Sequence, residues 1–288
     1  MSLRIVICFG LLAAWGLSAA ESLRVCVSLP PLMCVAQGVG GDRVEVTSFM
    51  SENDDPHTFS ATPRSIARLR DCDVFVGVGA AFEEIVFKKV RRMFPELTVV
   101  ELGTGADCDG GKTAKEADDH EHGETCGGLH DPHTWLSIRN LIQMAEPIRD
   151  ALSLKRPKEK GHFSDSCATF QASMEKRHAE LAKRLAPHRD TTFYVYHPAF
   201  GYFARDYSLV QKSVEIDGKS PAPRQLMALI TQAKNDGVQV IFVQPQFNEK
   251  PARILAKRIG GRVVPLNPLG ADPLAVMAAA ADAICSVK

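Results

Sequence analysis

The sequence lacks an excess of charge of either sign. Its 288 residues include 34 lysines and arginines and 34 aspartates and glutamates, so the formal net charge is zero. Acidic and basic residues are interspersed, and no strongly basic segment stands out. Proteins that bind nucleic acid through its phosphates need a basic face. The composition therefore argues against a nucleic-acid partner.

Long hydrophobic runs are also scarce. An apolar run at residues 5–17 follows Arg4 and ends in the small residues of positions 18–20. This is the pattern of a secretory signal peptide, and the run is shorter than the roughly 20 residues of a membrane-spanning helix. We expect residues 1–20 to be cleaved before Glu21. Because no cysteine follows that point to accept a lipid, we expect a soluble, monomeric periplasmic protein without a lipid anchor.

Cysteines are few, and their number after the predicted cleavage is odd. Seven of the eight follow it: Cys26, Cys34, Cys72, Cys108, Cys126, Cys167 and Cys285. An oxidising compartment permits disulfides, but an odd count leaves at least one thiol unpaired. Cys108 and Cys126 bracket one polar stretch, so they are the pair that we first expect to be bridged.

The sequence does have a regular alternation of strand-like and helix-like segments. Short strand-like runs, such as residues 23–29, 73–78 and 209–216, alternate with helical patterns such as residues 82–94. This spacing is typical of parallel βαβ units. The alternation breaks off at residue 103 and restarts after Pro187. We predict an α/β fold of two lobes, each with a roughly four-stranded parallel sheet flanked by helices.

A long helix is predicted to join the lobes. Residues 160–187 contain the longest periodic segment, with apolar positions three or four residues apart. Its core would reach roughly 35 Å at 1.5 Å per residue. The N-terminal lobe is then expected at residues 21–155 and the C-terminal lobe at residues 190–288. His178 lies on the apolar stripe of this helix, where we expect a packed core histidine rather than a ligand.

One five-residue phrase occurs twice. Residues 55–59 read Asp-Pro-His-Thr-Phe, and residues 131–135 read Asp-Pro-His-Thr-Trp. Proline fixes its own φ and favours extended geometry at the aspartate before it, so each histidine leaves a stiff loop. The aspartate can accept the N–H of the ring nitrogen that faces away from a metal, which sets the tautomer. A single copy would more simply be a turn before a helix; two copies favour a shared function.

A third histidine, His197, ends the strand predicted at residues 192–196. In parallel sheets, ligands bind at the loops that follow the carboxyl ends of strands. His57 and His133 are expected on such loops of the first lobe, and His197 on one of the second. We predict that the three imidazoles meet on one transition-metal ion in the cleft between the lobes.

Two further polar residues occupy equivalent places. Gln244 and Asn267 follow the last two predicted strands of the second lobe, and neither place holds an Asp or a Glu. Imidazoles suit Zn²⁺, whereas Mn²⁺, Mg²⁺ and Ca²⁺ favour oxygen ligands. We therefore expect Zn²⁺, with Mn²⁺ or Fe²⁺ less favoured. A water molecule or the amide oxygen of Asn267 would be the fourth ligand.

The stretch at residues 103–130 is rich in glycine and acidic residues and holds almost no apolar residue. Such a composition cannot bury enough surface to become ordered. His120 and His122 lie within it, in the run Asp-Asp-His-Glu-His. We expect a flexible loop that is either an auxiliary metal-recruiting segment or simply a solvated surface loop, since histidine-rich tracts are a compositional signal only.

The ordered set of motifs resembles a known family. Besides the two phrases, the set comprises residues 197–203 (His-Pro-Ala-Phe-Gly-Tyr-Phe), 242–247 (Phe-Val-Gln-Pro-Gln-Phe) and 267–270 (Asn-Pro-Leu-Gly). Together they resemble the metal-specific solute-binding proteins of ABC importers, the cluster A-I family, and particularly its zinc-uptake members. The similarity covers almost all of the chain after residue 20.

This resemblance implies two α/β lobes on a rigid backbone helix, a buried cation between them and a membrane permease as partner. His57, His133 and His197 match the imidazole ligands of the family. The family commonly has Asp where this chain has Asn267, and some members have Glu where it has Gln244. Those differences leave the fourth ligand open.

The predicted function is the capture of Zn²⁺ and its delivery to the permease, without catalysis. One alternative is a manganese or iron transport component of the same family. Another is a three-histidine zinc hydrolase, in which the metal would lower the pKa of its bound water to about 7. Asp55 and Asp131 would be its candidate bases, although both are better placed to support a histidine. A third is an adhesin or zinc buffer that serves no permease.

Overall fold

The structure, a computed structural model, describes residues 21–103 and 131–286. The predicted signal peptide, the expected bridge between Cys108 and Cys126, and the histidines His120 and His122 lie outside the described residues. Within them the chain forms two lobes around two four-stranded parallel sheets. The predicted fold class is confirmed.

The first sheet forms the N-terminal lobe. Its strands are β1 (Leu23–Val27), β2 (Val44–Ser48), β3 (Val74–Gly77) and β4 (Thr98–Glu101), in the order β2-β1-β3-β4. The connecting helices are α1 (Met33–Gly40), α2 (Pro63–Arg68) and α3 (Ala81–Met93). All four residues of β3 are buried, as expected for an inner strand covered on both faces. Helix α2 begins at Pro63, where the side chain of the preceding Thr62 accepts a hydrogen bond from Ser65 N.

Two long helices follow, α4 (Ile138–Lys155) and α5 (Lys160–Leu185). Helix α4 contains Pro147 and continues past it to Lys155. Helix α5 is the predicted linking helix, and its 26 residues give a length of about 39 Å. It packs along α4 and α1 at one end and against the C-terminal helix of the chain at the other. One rigid element therefore contacts both lobes.

The second sheet repeats the strand order of the first. Its strands are β5 (Thr192–Val195), β6 (Val210–Ser213), β7 (Val240–Val243) and β8 (Arg262–Pro265), in the order β6-β5-β7-β8. The helices are α6 (Gly201–Asp206), α7 (Pro223–Asn235), α8 (Lys250–Ile259) and α9 (Pro273–Cys285). The Asp272 side chain accepts from the amides of Leu274 and Ala275 and so caps the start of α9. The lobe boundaries at residues 21–155 and 190–288 stay a prediction.

The main hydrophobic core continues from one lobe into the other. Trp135 of the first lobe belongs to the same buried cluster as Phe200, Phe203 and Leu269 of the second. A smaller cluster lies between the second sheet and α7 and α8. Because the lobes share buried apolar surface, large separations would expose core residues to water.

Two local expectations are corrected. The strand predicted at residues 209–216 is shorter and ends at Ser213, which leaves Glu215 in the loop that follows it. His178 is half-buried rather than fully packed, and its ring contacts Arg139 and Tyr207. Among the helices of residues 21–103 and 131–286, none combines the length and the apolar content that a bilayer crossing needs.

Candidate metal centre

Three histidines from separate loops meet between the two lobes. The Nε2 atom of His197 lies 3.0 Å from Nε2 of His57 and 3.3 Å from Nε2 of His133. The ligand atoms of all three lie within 4.8 Å of one another. Two nitrogens bound to a tetrahedral zinc at 2.0–2.1 Å are about 3.3 Å apart. The spacing of the three rings therefore fits one shared ion.

His57 lies in the loop between β2 and α2, and it is the exposed member of the trio. Asp55 Oδ1 accepts from the backbone N–H of His57 at 3.0 Å, and Asp55 Oδ2 accepts from the Thr58 hydroxyl at 3.1 Å. These bonds hold the backbone of the turn and do not contact the His57 imidazole. The imidazole packs against the rings of His197 and His133. Loss of hydration lowers its pKa, and the two neighbouring imidazoles lower it further.

His133 is buried, and its aspartate does reach the ring. Asp131 Oδ1 accepts from the His133 backbone N–H at 2.9 Å and lies 2.6 Å from His133 Nδ1. The Trp135 ring packs edge-on against the imidazole, with 5.4 Å between the centroids. The predicted role of the aspartate in setting a tautomer therefore fits the second phrase and not the first.

The second phrase is tied to the C-terminal lobe by several contacts. Tyr202 donates a hydrogen bond to the Asp131 carbonyl at 3.0 Å, and Trp135 Nε1 donates to the Pro268 carbonyl at 2.7 Å. A Cβ atom at Gly201 would lie 2.8 Å from Asp131 Oδ2, so α6 can approach this closely only because its first residue is glycine. These contacts hold His133 at the boundary of the lobes.

His197 follows β5, and Gln244 fixes its main chain. Gln244 Oε1 accepts from His197 N at 3.1 Å, and Gln244 Nε2 donates to His197 O at 2.6 Å. Gln244 is completely buried. Both ends of its amide are used in this pair, so its role is to position His197. Gln244 is within reach because it follows β7, the strand that lies beside β5.

A buried acid supports the His197 ring from the other side. Glu215 Oε1 lies 2.7 Å from His197 Nδ1, and the Phe247 ring stacks on the imidazole at 5.1 Å. We did not expect an acidic residue at these strand ends, because the longer strand predicted at residues 209–216 placed Glu215 inside the sheet. The only indication in the sequence was that Glu215 lies one residue before the end of the predicted strand. The second sheet therefore does have an acidic residue where its strands end, and that residue contacts the ring of His197.

The two carboxylates define the chemistry of the site. Asp131 and Glu215 accept from the Nδ1–H groups of His133 and His197, so each of these rings carries its proton on Nδ1. The Nε2 lone pairs of these two buried rings then face each other at 3.3 Å. Buried acceptors that face each other are unfavourable without a donor or a cation between them. The arrangement favours a soft or borderline metal ion.

Asn267 follows β8, as expected, but its side chain is already paired. Asn267 Oδ1 accepts from Gln246 Nε2 at 3.0 Å and from Leu269 N at 3.1 Å, and Asn267 Nδ2 donates to the Glu52 carbonyl at 3.1 Å. A carbonyl oxygen has two lone pairs, and both are used here. Ligation by Asn267 stays a prediction, and its hydrogen bonds favour a different role.

Comparison with known proteins gives a consistent result. Residues 25–285 match the family described as zinc-uptake complex component A, periplasmic. The zinc-binding protein AdcA of Streptococcus pyogenes serotype M3 is 28% identical over 274 residues, which is 89% of this chain and 53% of the relative. The zinc-binding lipoprotein AdcA of Streptococcus pneumoniae is 29% identical over 259 residues, 87% of this chain and 51% of the relative. The chain thus spans about half the length of these relatives.

Solved structures agree in fold. A crystal structure of ZnuA superposes with a TM-score of 0.81 at 30% identity, covering 92% of this chain and 99% of that one. A zinc-bound ZnuA deletion mutant gives a TM-score of 0.78 at 30% identity, covering 92% and 97% of the two chains. The two-lobed architecture described above is therefore shared over nearly the whole length of those structures.

Proposed function

The chain belongs to the family of periplasmic zinc-uptake complex component A, and on this premise we propose that it captures Zn²⁺ and delivers it to the membrane permease of an ABC importer. The observation that carries the proposal is the convergence of three Nε2 atoms from both lobes. The distances between these nitrogens match those between two nitrogens bound to one zinc ion. Membership of the family and the geometry of the site support the same cargo.

His57, His133 and His197 are the proposed protein ligands. An all-nitrogen donor set suits Zn²⁺ better than Mn²⁺, which favours carboxylate oxygens. Glu215 does not alter this preference, because its Oε1 already accepts from His197. We assign the fourth position to a water molecule. His120 and His122 stay a prediction as an auxiliary recruiting segment.

The chain has no role as an enzyme in this proposal. The family is described as a zinc-uptake component, and the two AdcA relatives are named as zinc-binding proteins. A zinc hydrolase would need a base beside the metal-bound water. Asp131 and Glu215 each engage the Nδ1 of a ligand histidine. They therefore support the ligands and are poorly placed to take a proton from water.

The partner and the location complete the proposal. The family is periplasmic, and the predicted signal peptide at residues 1–20 accounts for export. One relative is named a lipoprotein, whereas this chain has no cysteine directly after the predicted cleavage site. We propose a monomer that is free in the periplasm and docks on its permease.

Metal content and competition titrations test the proposal. Protein purified without chelator should contain one Zn²⁺ per chain, and Zn²⁺ should displace Mn²⁺ during titration of the metal-free form.

At a free zinc concentration 1,000 times the Kd, binding should stabilise the fold by about 4 kcal/mol and raise the melting temperature. His133→Ala should lose most of this rise. The matched control is His188→Ala, which changes a histidine outside the site and should keep it. A wild-type melting curve unchanged by zinc would contradict the proposal.

A further inference from the structure

The loop that carries His57 differs from the segments that carry the other two histidines. Residues 49–62 connect β2 to α2 without a helix or a strand. Within the loop, Ser51 N donates to Asp54 Oδ2 at 2.9 Å, and Asp54 N donates to Ser51 O at 3.1 Å. Such short-range bonds give the loop a shape, but they do not attach it to the opposite lobe.

Two side-chain amides make that attachment. The Glu52 carbonyl accepts from Gln246 Nε2 at 2.7 Å and from Asn267 Nδ2 at 3.1 Å. Both donors belong to the C-terminal lobe, since Gln246 follows β7 and Asn267 follows β8. The two lone pairs of one carbonyl oxygen in the N-terminal lobe are thereby engaged by the other lobe.

The two amides also orient each other. Gln246 Nε2 donates to Asn267 Oδ1 at 3.0 Å, and Leu269 N donates to the same oxygen at 3.1 Å. Leu269 N needs an acceptor, so it fixes the position of Asn267 Oδ1, and that oxygen in turn orients the amide of Gln246. Both bonds lie within the C-terminal lobe and do not involve the loop, which reduces the entropy lost when the loop docks.

Beneath the same loop there is open space. A cleft of about 380 Å³ is lined by residues that include Phe49, Asp54, Phe59 and Arg68. The segment around His133, in contrast, is anchored by the fully buried Trp135 and its bond to Pro268. His57 is thus the exposed ligand, on a loop that is underlain by a cleft and bound to the other lobe by two amides.

We propose that Gln246 and Asn267 are positioning residues that latch the His57 loop onto the C-terminal lobe and so set the rate at which the captured metal leaves. This inference rests on the proposed function. While the Glu52 carbonyl is held, His57 stays against His197 and the trio is complete. When both bonds break, His57 withdraws with its loop. The ion then stays bound to His133 and His197 only, and water can reach it.

Release kinetics test the latch. Wild-type protein and the variants Gln246→Ala and Asn267→Ala are loaded with Zn²⁺ and mixed rapidly with excess EDTA, at concentrations where the rate no longer depends on EDTA. Each variant should release zinc about tenfold faster, since each loses one of the two hydrogen bonds to the Glu52 carbonyl, and one such bond is of ordinary net strength. X-ray absorption should show unchanged histidine coordination, because neither amide is a ligand in this proposal. Loss of an oxygen bound to the metal in Asn267→Ala would overturn the latch in favour of ligation by Asn267.

Two control variants separate the latch from general effects. Gln232→Ala removes an exposed glutamine on α7 and should leave the release rate unchanged. Glu52→Ala removes the side chain but keeps the carbonyl that accepts both bonds, so it should also release zinc at the wild-type rate. Faster release from Glu52→Ala than from Gln246→Ala would overturn the latch and assign the effect to the carboxylate.

A metal-free measurement keeps the latch distinct from the proposed function. Hydrogen–deuterium exchange of a peptide covering residues 50–60 should be about tenfold faster in Gln246→Ala and Asn267→Ala than in the wild type, because opening of the loop governs exchange. Unchanged exchange overturns the latch even where zinc binds as proposed. Failure of the wild type to bind zinc overturns the proposed function, while faster exchange in the variants would still support a latch between the lobes.

Discussion

The Oε1 atom of Glu215 lies 2.7 Å from Nδ1 of His197, and both residues are buried. A carboxylate in this position orients the imidazole, fixes its proton on Nδ1 and makes Nε2 a stronger donor to a metal. The contact lies entirely within the C-terminal lobe. It therefore orients one of the three proposed ligands without any contact from the N-terminal lobe.

The first prediction concerns that carboxylate. Glu215→Gln keeps the shape of the side chain and its ability to accept a hydrogen bond, but it removes the negative charge. Zinc affinity should fall by about 10- to 100-fold, since partners of metal-bound histidines typically contribute this much. Competition with a chromophoric chelator would measure the change. Glu180→Gln, on the exposed face of α5, is the matched control and should bind zinc as the wild type does.

The second prediction compares the aspartates of the repeated phrase. Asp131 contacts the ring of its histidine, whereas Asp55 binds only the backbone of His57 and the Thr58 hydroxyl. Asp131→Ala should weaken zinc binding by about 10- to 100-fold, and Asp55→Ala by clearly less. Calorimetric titration of both variants gives the comparison. Equal losses in the two variants would show that the aspartates act by holding the backbone turn and not by setting the tautomer of the histidine.

Much of this architecture could be predicted from local patterns. The strands, the linking helix and the placement of His57 and His197 after strand ends follow from hydrophobic periodicity and from the position of each histidine. Glu215 could not be assigned in the same way, because the exact end of β6 decides whether it lies in the sheet or beside His197. Strand ends are the least certain feature of a sequence pattern.

The amide contacts were beyond prediction for a different reason. Gln244, Gln246 and Asn267 all follow strand ends, and a sequence does not show which groups an amide will meet there. Gln244 pairs with the His197 backbone, and the other two pair with the Glu52 carbonyl. The acceptor of that latch is a backbone atom about 200 residues earlier in the chain, so only the tertiary structure reveals it.

The third prediction uses a close approach at Gly201. An added Cβ would lie 2.8 Å from Asp131 Oδ2, so Gly201→Ala must displace either α6 or the carboxylate. We expect a loss of stability of about 1–3 kcal/mol from overpacking, together with weaker zinc binding because Asp131 supports His133. Urea unfolding and zinc titration measure the two effects.

The control for this prediction is another helical glycine. A Cβ added at Gly161 would meet no atom within 4 Å, so Gly161→Ala should leave zinc binding unchanged and stabilise α5 by about 0.5–1 kcal/mol. If Gly201→Ala bound zinc as tightly as Gly161→Ala, the carboxylate of Asp131 would not depend on the approach of α6.

The last prediction concerns pH and a contact between the lobes away from the metal. His178 on α5 accepts a hydrogen bond on Nε2 from Arg139 at 3.2 Å, and its Nδ1 lies 3.1 Å from the Tyr207 hydroxyl. Partial burial lowers the pKa of His178, and the charge of Arg139 lowers it further, while Asp206 and Glu175 oppose the shift. Protonation of Nε2 would place two donors against each other, so the folded state resists it.

The sign of the effect on stability follows from the lowered pKa. Above the ordinary histidine pKa of about 6.5, neither the folded nor the unfolded state binds the proton, and the stability is at its full value. As pH falls below 6.5 the unfolded state takes up the proton first, so this stability is lost progressively until the folded-state pKa is passed.

Urea unfolding of the metal-free protein between pH 7.5 and 5.5 should show the loss. In His178→Gln, which accepts from Arg139 without titrating, the slope over the same range should be smaller. Parallel slopes for the two proteins would show that Arg139 and Tyr207 tolerate a protonated ring between them.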